Sequence, residues 1–172
     1  MPRRVLVACV GNALRGDDGF GIAVAERLAS EGGLPPGVDL IETGIGGLSI
    51  VHQLMEGYAT LVVVDAIDRG APSGTVFVLE PQVPDPAGLS ADEWHARFSN
   101  LHLAEPSRVF LLARALGVLP GRVVVVGCQV GECEALSQLL SPPVQAAVGI
   151  AADRVRELVG SAMVSVGAAG GA

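Results

Sequence analysis

Short, uninterrupted apolar runs alternate with longer amphipathic stretches along this chain, and that rhythm restricts the fold more than any other feature. Strands buried on both faces read as continuous Val/Ile/Leu runs, and the crossovers between them need helices, so the pattern is that of βαβ units in a mostly parallel sheet. The first strand is expected over Arg4–Val10, followed by a turn at Gly11–Asp17 and a helix from about Asp18 to Ser30. A second strand covers Val38–Ile41, a short helix Leu48–Glu56, and a third strand Thr60–Val64 with Asp65 at its carboxyl end. Thr75–Leu79 follows too soon for a crossover helix, so it is expected as an antiparallel edge strand. Pro81–Asp92 holds three prolines and reads as a loop. A helix over about Leu103–Leu116, a fifth strand over Arg122–Gly127 and a closing helix over about Pro143–Val159 complete the set. The fold class is therefore α/β. It has three layers: a five-stranded, mostly parallel twisted sheet with the flavodoxin-like order 2-1-3, one antiparallel edge strand, and flanking helices. Residues 1–166 make one domain, and Gly167–Ala172 a tail of small residues.

Composition removes whole classes of function. Of 172 residues half are apolar and 17% charged, which is not the profile of a disordered chain. The net charge of −7 would repel a nucleic-acid backbone. No apolar run approaches the roughly 20 residues of a membrane span. Two arginines precede the apolar stretch Val5–Val10, as in a secretion signal, but that stretch is shorter than a typical signal core and runs into Gly11 and Asn12. A buried strand and a cytoplasmic location are expected instead. All eleven basic residues are arginine. Without lysine, P-loop phosphate binding and Schiff-base chemistry both fall. Cys9, Cys128 and Cys133 give neither a disulfide framework nor zinc-finger spacing, so structural or incidental roles are expected.

In open α/β sheets the ligand crevice lies outside the carboxyl ends of the strands, where strand order reverses. The loops leaving strands one and three carry Asn12, Asp17 and Asp18, and Asp65 and Asp68. A helix-start aspartate is ordinarily a cap or a dipole partner. Here Asp17 can take the capping duty and leave Asp18 to face the crevice. Asp65 ends an apolar run where no turn is yet needed, so it is expected to confront its neighbours at close range. Two such carboxylates call for a shared proton or a cation. Of three histidines, His52 falls mid-helix and His95 lies beside Trp94, both ordinary packing or surface positions. His102 opens a helix, where the dipole favours a neutral, ligating imidazole. One imidazole and two carboxylates suit nickel, zinc or manganese, and the ligands alone do not choose among them. The glycines after strand one do not have dinucleotide-binding spacing, and Asp17 and Asp18 would repel a phosphate there. Gly44 and Gly47 belong to a cluster that is either a turn or a place where a peptide backbone approaches closely.

Val10-Gly11-Asn12-x-Leu14-x-x-Asp17-Asp18-Gly19-x-Gly21 resembles the signature of the hydrogenase maturation proteases. The likeness continues through Glu42-Thr43-Gly44 and Gly47, Val64-Asp65-Ala66, His102 with Gly117 fifteen residues later, and Val126-Gly127 with Glu132 and Glu134, covering about residues 4 to 150. The resemblance implies a twisted five-stranded sheet between helices, with Asp18, Asp65 and His102 as metal-binding and catalytic residues and Asn12, Asp17, Gly44 and Gly47 in support. It also implies removal of a C-terminal extension from the large-subunit precursor of a nickel-iron hydrogenase. The substrate brings the nickel, and zinc or cadmium would substitute for it in crystals. Gln129-Val130-Gly131 departs from the proline that many relatives carry before the glutamate, which leaves the partner hydrogenase open. Three rivals are weighed: a related spore-protein-type protease, a non-enzymatic nickel-storage module, and a phosphorylation receiver. The last lacks its lysine here.

Overall fold

A computed structural model describes residues 4–44, 47–98, 106–131 and 137–164, with only the backbone described at residues 97 and 98. The expected His102, Cys133, Glu132, Glu134 and Gly167–Ala172 tail lie outside the described residues. The strands are β1 (Val5–Val10), β2 (Val38–Thr43), β3 (Thr60–Ile67), β4 (Val76–Leu79) and β5 (Arg122–Gln129). They form one sheet in the order β2-β1-β3-β5-β4, parallel throughout except for β4, which runs antiparallel to β5 at the edge. The helices are α1 (Phe20–Ser30), α2 (Leu48–Leu54), α3 (Ala91–Phe98), α4 (Pro106–Ala115) and α5 (Pro142–Val164).

Strand periodicity divides the core in two. Val5, Val7, Cys9, Val62, Val64, Val126 and Cys128 face α1 and α5 and are fully buried among Phe20, Val24, Leu28, Val155 and the alanines of α5. The alternate residues Leu6, Ala8, Leu61, Val63 and Val125 face α2 and α4, against Ile50, Leu54, Val109 and Phe110. Each such valine, leucine, isoleucine or phenylalanine withdrawn from water stabilises the fold by roughly 1.5–3 kcal/mol, which explains how a core almost without aromatics suffices. At the amino end of the sheet, Arg4 donates to Asp39 (2.7 Å), Tyr58 donates to the same carboxylate (2.8 Å), and the guanidinium lies over the Tyr58 ring. That cluster ties β1 to β2 on the side opposite the crevice.

Three local expectations need correction. β3 runs three residues further than expected, through Asp65-Ala66-Ile67, and β5 two, through Cys128-Gln129, because the two strands keep pairing to the Ile67–Gln129 register. Asp65 thus sits within a strand rather than at its end. The proline-rich stretch is not all loop. A 3-10 turn at Pro86–Gly88 is capped by Asp85, and α3 starts at Ala91 behind a reciprocal Ser90–Glu93 capping box. Among the described residues no helix is long and apolar enough to cross a membrane.

Candidate active site at the carboxyl ends of β1 and β3

The loop after β1 folds back on itself because its backbone groups satisfy one another. The Asn12 N–H donates to the Asp18 carbonyl (3.0 Å), the Arg15 N–H to the Asn12 carbonyl (3.1 Å), and the Leu14 N–H to the Asn12 side chain (3.0 Å). The crossing is close enough that a Cβ on Gly11 would stand 2.5 Å from the Asp18 carbonyl oxygen. Gly21 is more tightly held: a Cβ there would lie 2.0 Å from the Val10 carbonyl oxygen and 2.8 Å from that of Val64. Those two bare positions let α1 settle directly on the carboxyl ends of β1 and β3. Asp18, two residues before the helix, is thereby placed half-buried at the crevice.

Asp65 reaches the same place from the neighbouring strand. It pairs with Gly127 of β5 and is only 7% exposed. By the alternation that sends Leu61 and Val63 toward α4, its side chain lies on the α2/α4 face. Burial pushes its carboxyl up to about 7, the Ala66 N–H pulls the other way, and the nearby Asp18 carboxylate pushes it further up. Asp18 and Asp65, separated by 47 positions, are therefore electrostatic neighbours. Near neutrality such a pair holds a proton on Asp65 or accepts a cation in its place. Among the described residues no three His, Cys, Asp or Glu side chains form a metal-sized group. Two of the three residues expected as ligands, Asp18 and Asp65, are thus brought together, and the third, His102, falls outside the described residues. His52 and His95 are exposed on α2 and α3.

Asp17 does not do what the sequence suggests. Neither the 3-10 turn Gly16–Gly19 nor α1 has a side-chain cap. The turn instead rotates Asp17 inward to 3% exposure, where it accepts from the Ser141 N–H (2.6 Å), the Ser141 hydroxyl (2.9 Å) and the Gly131 N–H (3.2 Å). A buried carboxylate needs several donors, and Ser141 just before α5 and Gly131 just after β5 provide them. Asp17 is a clamp between the loops after β1 and β5, and it leaves Asp18 as the acid facing the crevice by a different route than capping.

Gln129 was not singled out from the sequence. Buried at 4% exposure, its amide donates to Asp68 (2.9 Å) and to the Val130 carbonyl (3.0 Å), while its oxygen accepts from the Arg69 N–H (2.7 Å) and the Ala71 N–H (3.3 Å). It fixes the loop that leaves β3 just beyond Asp65. A lone amide at the end of an aliphatic strand is the signal by which it could have been found. Gly44 is exposed, and a Cβ there would meet nothing within 4 Å among the described residues. Cys9 and Cys128 are buried, and burial above all pushes their thiols up to about 12 and about 11, so neither serves as a nucleophile.

The fold has close solved counterparts. The hydrogenase maturating endopeptidase HybD from E. coli superposes with a TM-score of 0.73 at 26% identity, covering 92% of this chain and 93% of that one. The hydrogenase 2 maturation peptidase from Thaumarchaeota archaeon SCGC_AB-539-E09 gives 0.65 at 34% identity, covering 92% and 99%. In sequence, the chain is 36% identical to the hydrogenase expression/formation protein HupD of Rhodobacter capsulatus over 159 residues, 91% of this chain and 72% of the relative. It is 34% identical to HoxM of Cupriavidus necator, over 90% and 73%. The family profile described as HycI, hydrogenase maturation protease, matches residues 22–157. With that match over most of its length, the chain belongs to the hydrogenase maturation protease family and is a peptidase.

Proposed function

We propose that this peptidase removes the C-terminal extension of a nickel-iron hydrogenase large-subunit precursor in the cytoplasm, after nickel insertion, and that it recognises the nickel its substrate carries through Asp18, Asp65 and His102. The observation that supports the reading most is the convergence of Asp18 on a buried Asp65 whose carboxyl is raised to about 7. An empty site of this kind holds a proton near neutrality, and an arriving divalent cation displaces it. Metal binding there is thus coupled to release of that proton. In this mechanism Asp18 and Asp65 offer oxygen ligands, the His102 imidazole completes the set, and Asn12 and Asp17 hold the loop that presents Asp18. Substrate nickel so placed polarises the scissile carbonyl or activates water. Spending both acids as ligands leaves neither free to act as a general base.

The test compares nickel-loaded and nickel-free precursor by mass spectrometry. Wild-type chain should trim the loaded form alone, and Asp65→Ala or His102→Ala should abolish trimming while the circular dichroism spectrum is retained. Unchanged trimming by either variant would refute the assignment.

A further inference from the structure

A groove of about 610 Å³ opens on the same sheet face as Asp65 and belongs to no part of the site described above. Ile67, two residues beyond Asp65 on β3 and so on the same face, lines it together with Leu79 of β4. Phe110 and Pro106 of α4 form one wall. The opposite wall is the segment after β4, where Val83 lies, and Arg114 of α4 donates to the Val83 carbonyl and fixes that segment against the helix. At the mouth stands Arg69, exposed, its guanidinium over the Phe77 ring at 5.8 Å and with no carboxylate partner among the described residues. The volume is that of a small-ligand or short-peptide site, and the lining is mainly apolar; its charged groups are Arg69 at one end and Glu80, whose carboxylate lies 3.6 Å from Arg122.

We infer that this groove binds the part of the substrate that is cut away. In it an extended stretch of the C-terminal extension seats apolar side chains between α4 and Val83 and pairs a side-chain carboxylate with Arg69. The inference rests on the proposed function, and continuity supplies the direction. If the metal-bearing side of the scissile bond is held at Asp18 and Asp65, the chain beyond the bond leaves across Ile67. Three features argue for a peptide there. The floor is sheet and the walls are tied together, so the groove exists before binding and little ordering cost falls on the protein. Its apolar lining reads alternate side chains of an extended chain. With Glu80 turned to Arg122, Arg69 is the groove's cation without a carboxylate partner among the described residues, and it selects an acidic residue rather than a basic one.

The experiment uses full-length chain, nickel-loaded precursor, and a fluorescein-labelled synthetic peptide of the extension of the large subunit encoded in the same genome. Two half-buried or exposed positions are altered, Val83→Asp and Arg69→Glu, and both variants are checked by thermal melting for wild-type folding. Each should raise KM for processing about tenfold with kcat kept within about twofold, the signature of lost binding away from the reacting atoms. Each should weaken peptide binding by anisotropy to a similar degree. Reversing the acidic residue of the extension to arginine should restore KM with Arg69→Glu and not with Val83→Asp. An unchanged KM in both variants, or a fall in kcat alone, overturns the groove assignment. Failure of the wild-type chain to trim any loaded precursor would instead sink the proposed function, so the two failures are separable.

Discussion

Replacing Asp65 with asparagine should make the metal-free protein more stable above neutrality and remove most of one step from its pH profile. The substitution keeps size and keeps an oxygen for the Ala66 N–H, but deletes the titration. In the folded chain the carboxyl is raised to about 7 from its ordinary value of 3.8, chiefly by burial and secondarily by Asp18. Between those two values the unfolded chain has lost its proton while the folded chain keeps it. The unfolded state therefore binds fewer protons, and stability falls as pH rises through that window. About three pKa units at about 1.36 kcal/mol each set a ceiling of roughly 4 kcal/mol, of which pH 5 to pH 8 spans about 3 kcal/mol. Urea unfolding of both proteins without metal at pH 5 and pH 8 reads the difference, and the other titrating groups cancel in the comparison. The wild type should lose roughly 3 kcal/mol more than the variant over that interval. Parallel pH dependence in the two proteins would show that Asp65 ionises freely, and the reasoning about a strained, cation-seeking acid would fall with it.

Other expectations follow from the same geometry. Gly21→Ala drives a Cβ against the Val10 and Val64 carbonyl oxygens, neither of which can move without disturbing the sheet, so it should cost about 3 kcal/mol and lower Tm by roughly 6–12 °C in a melting experiment. Asp17→Ala strands the Ser141 and Gly131 donors, and should cost about 2–3 kcal/mol and expose the stretch after β5 to limited proteolysis sooner than in wild type. Gln129→Leu, close in volume, removes the bonds to Asp68, Arg69 and Ala71; processing should slow about tenfold with the loop after β3 released, read as faster amide exchange at Arg69 and Ala71.

What the sequence revealed depended on how locally each feature was determined. β1, β3 and β5 stood out because both their faces are buried, so every residue had to be apolar. The same rule hid their last residues. Asp65, Cys128 and Gln129 interrupt the aliphatic runs where the strands still pair, since the ligand end of a sheet admits polar groups. Asp18 and Asp65 were legible as partners because parallel topology sends the loops after β1 and β3 to one rim. The role of Asp17 was not, because its donors lie more than a hundred positions away at Gly131 and Ser141, and local logic offers capping as the nearer use. Gln129 was missed for the same reason, with partners about 60 positions upstream in the loop after β3. The short helix α3 escaped notice because three prolines lead up to it, and the Ser90–Glu93 box that starts it is a two-residue signal within a polar stretch.

The most direct measurement is of the nickel itself, in a complex of this chain with loaded precursor whose scissile bond is blocked by a proline substitution. Anomalous diffraction at the nickel edge should place the ion between Asp18 and Asp65, with carboxylate oxygens and the His102 imidazole at roughly 2.0–2.2 Å, as for comparable divalent ions. Nickel bound by precursor groups alone, with Asp18 and Asp65 turned away from it, would contradict the account.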